Sequence, residues 1–440
     1  MKITKSISIA FILVFTFGSC SSDQETIIEP TPEQEGPGET VQTSLDSIRP
    51  LNGPKGTLVT FYGKNFGTSE TDVTVHINEK EMSVVSVEDD KIQIKVLPAT
   101  FSGEIELTVR DFVSDSEVFD YELTAEVTTV AGSSEGHTDG VGPEAQFDTP
   151  RGLAMDAEGV VYIADSGNSA IRKMTLEGVV TKHAGGGCSF INGTLETAKF
   201  CQPYGVFMDS EGALFVADSS NDAIRKIDIN GNVFIAMHKF QDEKGEPDEM
   251  KAPLDYVKDS KGNSYVVDHN NHRILKRHVD GYVQAFGSID HGDEDGTGEA
   301  VKFNLPRGLA IDHQDNVYVA DAGNDKIRKI TPDGIVSTYA GDVEGDMEGP
   351  KEVAEFSSPR SIAIDAQGSL YITDTSNNKI KKITPKGKVI TLAGSDEGNN
   401  DGIGTDSQFN SPQGIVVNPE GTLLYLADSY NHRIRKITLD

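Results

Sequence analysis

The strongest constraint on the fold is a pattern that recurs six times between residues 126 and 440. Each copy contains one proline, and these prolines are spaced by 53, 50, 53, 53 and 53 residues: Pro150, Pro203, Pro253, Pro306, Pro359 and Pro412. An aspartate stands fifteen or sixteen residues after each proline, and an asparagine follows three residues later. A fixed period of this length indicates a repeat architecture in which each copy is one supersecondary unit.

The composition favours an all-β chain and excludes one class of partner. The 440 residues include 44 glycines and 18 prolines, and no window beyond the first twenty residues keeps a helical apolar period. The chain also carries 70 acidic and 39 basic residues, which give a formal net charge of −31. Nucleic-acid binding needs a net basic face. We therefore predict an all-β protein without a nucleic-acid partner.

The fourth copy shows the repeated pattern in full. It reads FNLPRGLAID at residues 303–312 and VYVADAGNDKIRKI at residues 317–330. This pattern resembles the NHL repeat, and six copies imply a six-bladed β-propeller over residues 126–440 with four strands in each blade. The last copy ends one strand short, and Val127–Gly132 has the sequence of the missing strand. We predict that Val127–Gly132 pairs with the last blade and closes the ring, because closure removes an exposed sheet edge.

Residues 45–124 precede the repeats as a separate predicted domain. About seven short runs of alternating apolar and polar residues are separated by turn signals, which predicts a β-sandwich. The positions of Pro50, Gly53, Gly56 and the segment Gly63–Gly67 resemble those of the IPT/TIG immunoglobulin-like domain. That resemblance implies a spacer or interaction module.

The N-terminus has the features of an export signal. Residues 1–20 combine a basic start, an apolar run and small residues before Cys20. Gly18–Cys20 resembles a bacterial lipobox, which implies that Cys20 is lipidated; the alternative is an ordinary signal with an incidental cysteine. The acidic string after Cys20 resembles the export tag of Bacteroidetes surface lipoproteins. This resemblance implies an outer-membrane protein at the cell surface that contacts the membrane only through its lipid. Residues 21–44 are acidic and contain three prolines, so we predict an extended tether.

The aspartate and asparagine that recur in every repeat are interpreted as architectural. One catalytic site needs different groups that converge, whereas six identical Asx residues suit six equal turns, whose backbone N–H groups they cap. Function is therefore expected where the repeats differ. The residue after each repeated proline begins the innermost strand at the rim of the channel: Arg151, Tyr204, Leu254, Arg307, Arg360 and Gln413. Three arginines at one mouth favour a carboxylate or sulfate ligand, unless each arginine pairs with a neighbouring acidic loop.

The third repeat departs most from the others. It is three residues shorter, and Asp255 stands where the other repeats have Gly or Ser. Lys258 and Arg277 each replace an apolar residue. Buried charges are costly unless they are paired. These substitutions indicate either one local polar network or a loosely packed, solvated blade.

One connecting loop contains two cysteines. Cys188 and Cys201 lie thirteen residues apart in a chain predicted to be exported, so we expect a disulfide; two free thiols are the alternative. The loop carries Phe190, which we predict to lie over the channel beside Tyr204. A closed loop that presents an aromatic ring is pre-organised for ligand contact.

Metal binding and catalysis are weighed against simple binding. Asp293 and Asp295 are candidates for a structural Ca²⁺, which takes six to eight oxygen ligands, and a solvated acidic face is the alternative. No other cofactor is predicted. Amidating lyases and gluconolactonases share this type of scaffold, but the histidines here are scattered and the rim has one carboxylate.

The resemblance to Bacteroidetes surface lipoproteins implies a non-catalytic binding protein. Its partner is expected to be a glycan or a surface protein, and the arginines favour an anionic glycan. The alternatives are a metal-dependent lyase or hydrolase in the channel and a protein-binding adhesin or sensor. The predicted ligand-binding residues are Arg151, Phe190, Tyr204, Asp255, Arg307, Arg360 and Gln413.

Overall fold

The computed structural model describes residues 42–98, 100, 102–115, 117–241 and 245–440. The predicted signal, Cys20 and nearly all of the tether lie outside the described residues. Within the described part, no helix has the length and apolar character needed to cross a membrane. Its helices are single 3-10 turns: Glu70–Asp72, Gly142–Glu144, Ser219–Asn221, His269–Asn271, Gly298–Ala300, Ala322–Asn324, Thr375–Asn377, Gly404–Asp406 and Ser429–Asn431.

The N-terminal domain is a sandwich of two sheets. One sheet has the strand order Ser44–Arg49, Leu58–Lys64, Lys91–Lys95 and Ser83–Glu88. The other has the order Asn52–Gly53, Glu117–Tyr121, Gly103–Val109, Val73–Ile77 and Lys80–Glu81, and Phe112–Val113 pairs with Gly103–Val109. Apolar residues of the alternating strands, such as Phe61, Ile92 and Leu107, are fully buried between the sheets. The alternation in the sequence therefore places one face of each sheet in the core.

Six further antiparallel sheets form the blades of a propeller. From the innermost strand outward, blade 1 contains Pro150–Met155, Val161–Asp165, Ala170–Met174 and Val179–Gly185. Blade 2 contains Pro203–Met208, Leu214–Asp218, Ala223–Ile227 and Asn232–Met237, and blade 3 contains Pro253–Lys258, Ser264–Asp268, Arg273–Arg277 and Val283–Phe286. Blade 4 contains Pro306–Ile311, Val317–Asp321, Lys326–Ile330 and Ile335–Ala340, and blade 5 contains Pro359–Ile364, Leu370–Asp374, Lys379–Ile383 and Lys388–Ala393.

Blade 6 closes the ring as the sequence predicts. It contains Pro412–Val417, Leu423–Asp428 and Arg433–Leu439, and its outermost strand is Ala125–Ala131. Val127 lies opposite Ile437, and Thr129 lies opposite Arg435. The innermost strands of blades 1 and 6 also contact each other. The predicted all-β fold, with a propeller closed by its own N-terminal strand, is confirmed.

The N-terminal domain joins the propeller on one face. We call the face at which each innermost strand begins the top face, and the opposite face the bottom. Thr124 and Asp440, at the bottom end of blade 6, exchange backbone hydrogen bonds. Lys55 of the sandwich forms an ion pair with Asp440. The sandwich is therefore attached at the bottom of the propeller.

Glycines allow the innermost strands to approach one another closely. The third residue of this strand is Gly152, Gly205, Gly308 or Gly414 in four blades. A Cβ atom at Gly414 would lie 1.9 Å from the carbonyl oxygen of Arg151, and one at Gly308 would lie 2.4 Å from that of Arg360. Because these positions have no side chain, neighbouring innermost strands pack closely and the channel between them is narrow. The second residues of the six strands are thereby brought to one place at the top of the channel.

The outer edges of the blades are also built to a common plan. In five blades, the loop that leads into the blade adds a two-residue fifth strand to the outermost strand: Gly140–Val141, Gly193–Thr194, Gly296–Thr297, Gly349–Pro350 and Gly402–Ile403. Blade 3 has four strands, and the loop before it instead forms a hairpin of Lys239–Gln241 and Pro247–Glu249.

Candidate functional site

The channel is a cavity of about 260 Å³ lined by the innermost strands of all six blades. At its top, the ring of Tyr204 is 8% exposed, and its hydroxyl donates to Oε1 of Gln413 at 2.8 Å. Arg307 donates to the same hydroxyl at 2.9 Å, and the guanidinium of Arg151 lies 4.6 Å from the centre of the ring. Blades 1, 2, 4 and 6 therefore contribute side chains to one cluster, which we call the mouth cluster. Arg360, at the equivalent position of blade 5, lines the same channel close enough to Arg151 and Arg307 for their charges to affect it, and it belongs to this cluster.

The arginines of this cluster have no acidic partner. Arg151, Arg307 and Arg360 form no ion pair with any described residue, and the Nε atoms of Arg151 and Arg360 are buried without a hydrogen bond. Burial lowers the pKa of Arg360, and the positive charges of Arg307 and Arg151 lower it further. Of the two interpretations left open by the sequence, the geometry favours unpaired cations over pairing with acidic loops. An anion would relieve their mutual repulsion.

His269 is a neighbour of the mouth cluster that the sequence analysis missed. Its Nδ1–H donates to the carbonyl oxygen of Pro306 at 2.8 Å. Burial lowers its pKa to about 4, and the charges of Arg307 and Arg360 act in the same direction, so the ring is neutral near pH 7. Ser166 and Thr375 make the equivalent bond in blades 1 and 5. The signal was a histidine directly after the repeated aspartate, where the other copies have small residues.

Asp255 lies in the same channel and is bound by backbone groups. Its carboxylate accepts hydrogen bonds from the N–H of Leu309 at 2.8 Å and from its neighbour Tyr256 at 2.9 Å. Burial raises the pKa of Asp255 to about 7. Lys258 pairs with Asp209 at 3.0 Å, and Arg277 is exposed. The unusual charges of the third repeat therefore do not form one network.

The predicted recognition loop does not bring its aromatic ring to the channel. Cys188 and Cys201 form a disulfide in the structure. Phe190 is 41% exposed, and its ring lies 5.0 Å from the guanidinium of Arg225 and 5.5 Å from the ring of His238. These contacts belong to the outer strands of blade 2, whereas Tyr204 contacts Gln413 across the channel. The predicted pairing of Phe190 with Tyr204 as one contact surface is wrong.

The candidate calcium ligands are engaged by cations. Asp295 lies 2.5 Å from Nη2 of Arg328, and Asp293 pairs with Lys326 and with Arg328. Two carboxylates neutralised by basic side chains do not attract a divalent cation. The calcium hypothesis at Asp293 and Asp295 is therefore withdrawn. In the described ranges, no group of three or more His, Cys, Asp or Glu side chains is placed to hold a metal.

The repeated aspartates belong to a buried network, as blade 4 illustrates. Asp321 accepts hydrogen bonds from the N–H of Asn304 at 2.7 Å, from Nδ2 of Asn324 at 2.8 Å and from Arg328 at 2.9 Å. Asn324 also donates to the loop carbonyl of Gly292 at 2.7 Å. The aspartate thus ties the connecting loop to the blade, and it does not cap its own turn as we expected. The arginine seven residues after the aspartate, in four repeats, was the missed signal.

Comparisons of the sequence with protein families agree with this architecture. The IPT/TIG domain matches residues 44–121, and the NHL repeat matches residues 147–174. The family described as the Teneurin NHL domain matches residues 183–352 and 354–438, together more than half of the chain.

Curated relatives match about seven tenths of the chain. NHL repeat-containing protein 2 of Gallus gallus is 30% identical over 334 residues, and the match covers 71% of this chain and 42% of that protein. The Homo sapiens protein of the same description is 27% identical over 350 residues, with the same coverage. The chain therefore spans less than half the length of these relatives.

Solved structures share the whole arrangement at low identity. A Bacteroides thetaiotaomicron protein of unknown function is 19% identical with a TM-score of 0.58, and the match covers 91% of this chain and 99% of that one. An auxiliary nutrient binding protein of the same organism is 17% identical with a TM-score of 0.56, and the match covers 91% and 98%. These similarities show the fold. By its sequence match over more than half of its length, the chain belongs to the family of the Teneurin NHL domain, with an IPT/TIG domain ahead of the propeller.

Proposed function

We propose that the protein is a binding protein that holds an anionic glycan at the top of its propeller, without chemical conversion. The carboxylate or sulfate group of the glycan would occupy the mouth cluster. In this proposal the protein is a lipoprotein anchored through Cys20 at the surface of the outer membrane.

The observation that carries this proposal is the set of three unpaired arginines at the mouth. Each buried arginine of the described propeller has a carboxylate within reach, as Arg328 has in Asp321 and Asp295. Arg151, Arg307 and Arg360 have none among the described residues, although the chain has an excess of 31 negative charges. Cations that are brought together without counter-charges suit a ligand that supplies the counter-charge.

The roles of the other mouth residues follow from their contacts. Tyr204 is too buried to stack on a sugar ring, and its hydroxyl holds Arg307 while its face supports Arg151. Gln413 of blade 6 accepts the hydrogen bond of the tyrosine hydroxyl and so fixes its position. We therefore assign Tyr204 and Gln413 a positioning role, and the arginines the contact with the anion.

The attachment of the sandwich supports the direction of binding. The N-terminal domain joins the bottom of the propeller, and the mouth cluster is at the top. A lipid ahead of the sandwich would therefore leave the mouth cluster on the face away from the membrane. The match to an auxiliary nutrient binding protein supports a role in capture rather than conversion.

Binding of the full chain to immobilised sulfated, uronic-acid-bearing and neutral oligosaccharides tests the proposal. We expect anionic oligosaccharides to bind. Arg360→Gln or Arg307→Gln should weaken the affinity for them by about tenfold, because each variant loses one charge-assisted contact. Arg277→Gln is the matched control, because Arg277 is exposed on blade 3 away from the mouth. Equal binding of anionic and neutral glycans, or equal binding by Arg360→Gln, would contradict the proposal.

A further inference from the structure

The outer edge of blade 3 lacks the cover that the other five blades have. Each of those blades carries a two-residue fifth strand on its outermost strand. In the described part of the chain, the strand Val283–Phe286 pairs only with Arg273–Arg277. An uncovered outermost strand presents unpaired backbone groups, which template pairing with another chain.

A carboxylate also caps the outer edge of most blades. The N–H of the outermost strand donates to an acidic side chain of the connecting loop in blades 1, 5 and 6: Lys182 to Asp139 at 3.1 Å, Thr391 to Glu348 at 2.9 Å, and Thr129 to Asp401 at 3.0 Å. In blade 4, Thr338 bonds Asp295 in the same way. The fixed position of this contact makes the acidic residue a standard part of the edge.

Ala285 occupies the equivalent position in blade 3. It lies opposite Leu275 in the same register in which Lys182 lies opposite Arg172. Its N–H therefore faces outward, and no described residue accepts a hydrogen bond from it. Among the residues that the structure describes, blade 3 thus has neither the fifth strand nor the carboxylate.

Two grooves flank this edge. One, of about 540 Å³, lies between the end of the outermost strand of blade 2, at Ile235–Gln241, and Arg277 and Tyr282 of blade 3. The other, of about 250 Å³, includes Val283, Ala285 and Ile289 in its lining. Ile235 is 40% exposed and Ile289 is 67% exposed. Apolar side chains that flank an open strand edge provide pockets for the alternate side chains of an added strand.

We propose that residues 283–287 bind an extended peptide of a partner protein, which adds to blade 3 as its fifth strand and places an Asp or Glu carboxylate at the N–H of Ala285. The chain itself shows what fits such an edge, because five blades bind an extended segment there and four of them bind a carboxylate. Arg277 is exposed in the groove and forms no ion pair with a described residue, so it favours an acidic peptide. A second copy of the chain carries the same charge of −31 and would be repelled.

Selection of short random peptides displayed on phage against the full chain tests this proposal. We expect the selected peptides to contain an acidic residue within an apolar, β-branched run. Ala285→Pro should weaken the affinity for the selected peptides by about tenfold, because proline removes the outward N–H of residue 285. An edge strand tolerates proline at a position whose N–H faces outward. Arg277→Glu should weaken them by about threefold, and Arg360→Gln should leave them unchanged, which separates this site from the mouth cluster.

Thr338→Pro on blade 4 is the matched fold control. Thr338→Pro removes the backbone N–H that donates to the carboxylate of Asp295, so this variant should have a lower melting temperature. Ala285→Pro removes a donor without a described acceptor and should leave the melting temperature unchanged. Selected peptides that bind Ala285→Pro and Arg277→Glu as tightly as the unmodified chain would overturn the proposal, as would a selection without acidic peptides. Protection of the Ala285 amide from hydrogen exchange in the chain alone would show that one of its own segments covers the edge. A dimer abolished by Ala285→Pro would identify a second copy as the occupant.

Discussion

The propeller uses arginine in two opposite ways. In the third strands of four blades, Arg172, Arg225, Arg328 and Arg435 are fully buried and each reaches an aspartate that is also fully buried. At the channel mouth, Arg151, Arg307 and Arg360 are only half-buried and reach no carboxylate among the described residues. The paired arginines recur with the repeat, and the unpaired arginines do not.

This difference separates architecture from function. In these four repeats the buried carboxylate and guanidinium pair with each other, and the guanidinium also binds the connecting loop, as Arg328 does at the carbonyl oxygen of Glu294. Cations without partners destabilise the folded state by desolvation and repulsion unless a ligand compensates. The predictions below test whether the two sets respond differently to the same type of substitution.

The largest effect is expected from Arg328→Met. This substitution leaves Asp321 buried without its cation, and breaking such a pair costs about 3–5 kcal/mol. Burial already raises the pKa of Asp321 to about 6, and loss of Arg328 should raise it further. Urea unfolding at neutral pH measures the loss. Arg307→Met is the control with the same change in shape; an equal loss in both variants would erase the distinction.

A smaller loss of stability is expected when the disulfide is removed. Cys188→Ser with Cys201→Ser opens a loop of thirteen residues, for which chain entropy predicts about 2–3 kcal/mol. The loop contacts a paired arginine, because the ring of Phe190 packs against Arg225. It is not in contact with the mouth cluster through this ring. The double variant should therefore unfold at lower urea while it binds anionic glycans with unchanged affinity. A loss of affinity for anionic glycans without a loss of stability would show that the loop is part of the binding site.

The architecture could be predicted from the sequence because repetition makes it redundant. The spacing of the prolines and the displaced strand Val127–Gly132 specify six blades and their closure. This prediction does not depend on the interpretation of any single residue. The convergence of Arg151, Arg307 and Arg360 also followed from their shared position after the repeated proline. Their lack of partners did not, because the position of each acidic loop depends on its tertiary packing.

The errors concern contacts between a connecting loop and a blade. Phe190 was placed over the channel because the loop closed by the disulfide leads to Tyr204, yet its ring lies on Arg225, whose guanidinium is fixed by Asp218. Asp293 and Asp295 were considered as calcium ligands because their cationic partners, Lys326 and Arg328, are thirty-three to thirty-five residues away in the sequence. The missing fifth strand of blade 3 was visible only as a shorter repeat.

Removal of an unpaired arginine should stabilise the fold slightly. Arg360→Met relieves desolvation and repulsion by Arg307 and Arg151, so we expect an increase of about 1–2 kcal/mol in the unfolding free energy. The gain should shrink as salt is added, because salt screens the repulsion between half-exposed charges. Thermal unfolding at low and high sodium chloride measures both. A loss of stability at either salt concentration would mean that Arg360 has a structural partner after all.

The smallest effect concerns Asp255, whose charge is buried without a cation. Because burial raises its pKa to about 7, the protonated form is favoured in the folded state, and this contribution to stability is lost as the pH rises through about 7. Asp255→Ser removes the titration and copies Ser361, the equivalent residue of blade 5, which accepts the N–H of Ile415 at 3.4 Å. The variant should therefore gain stability relative to the unmodified chain as the pH rises from about 4 to about 7, and the difference should stay constant above that. Solvent in the channel keeps the gain to about 1 kcal/mol. Parallel melting curves of the two chains across this range would contradict the assignment, because they would show that Asp255 is charged throughout and that a cation absent from the described contacts neutralises it.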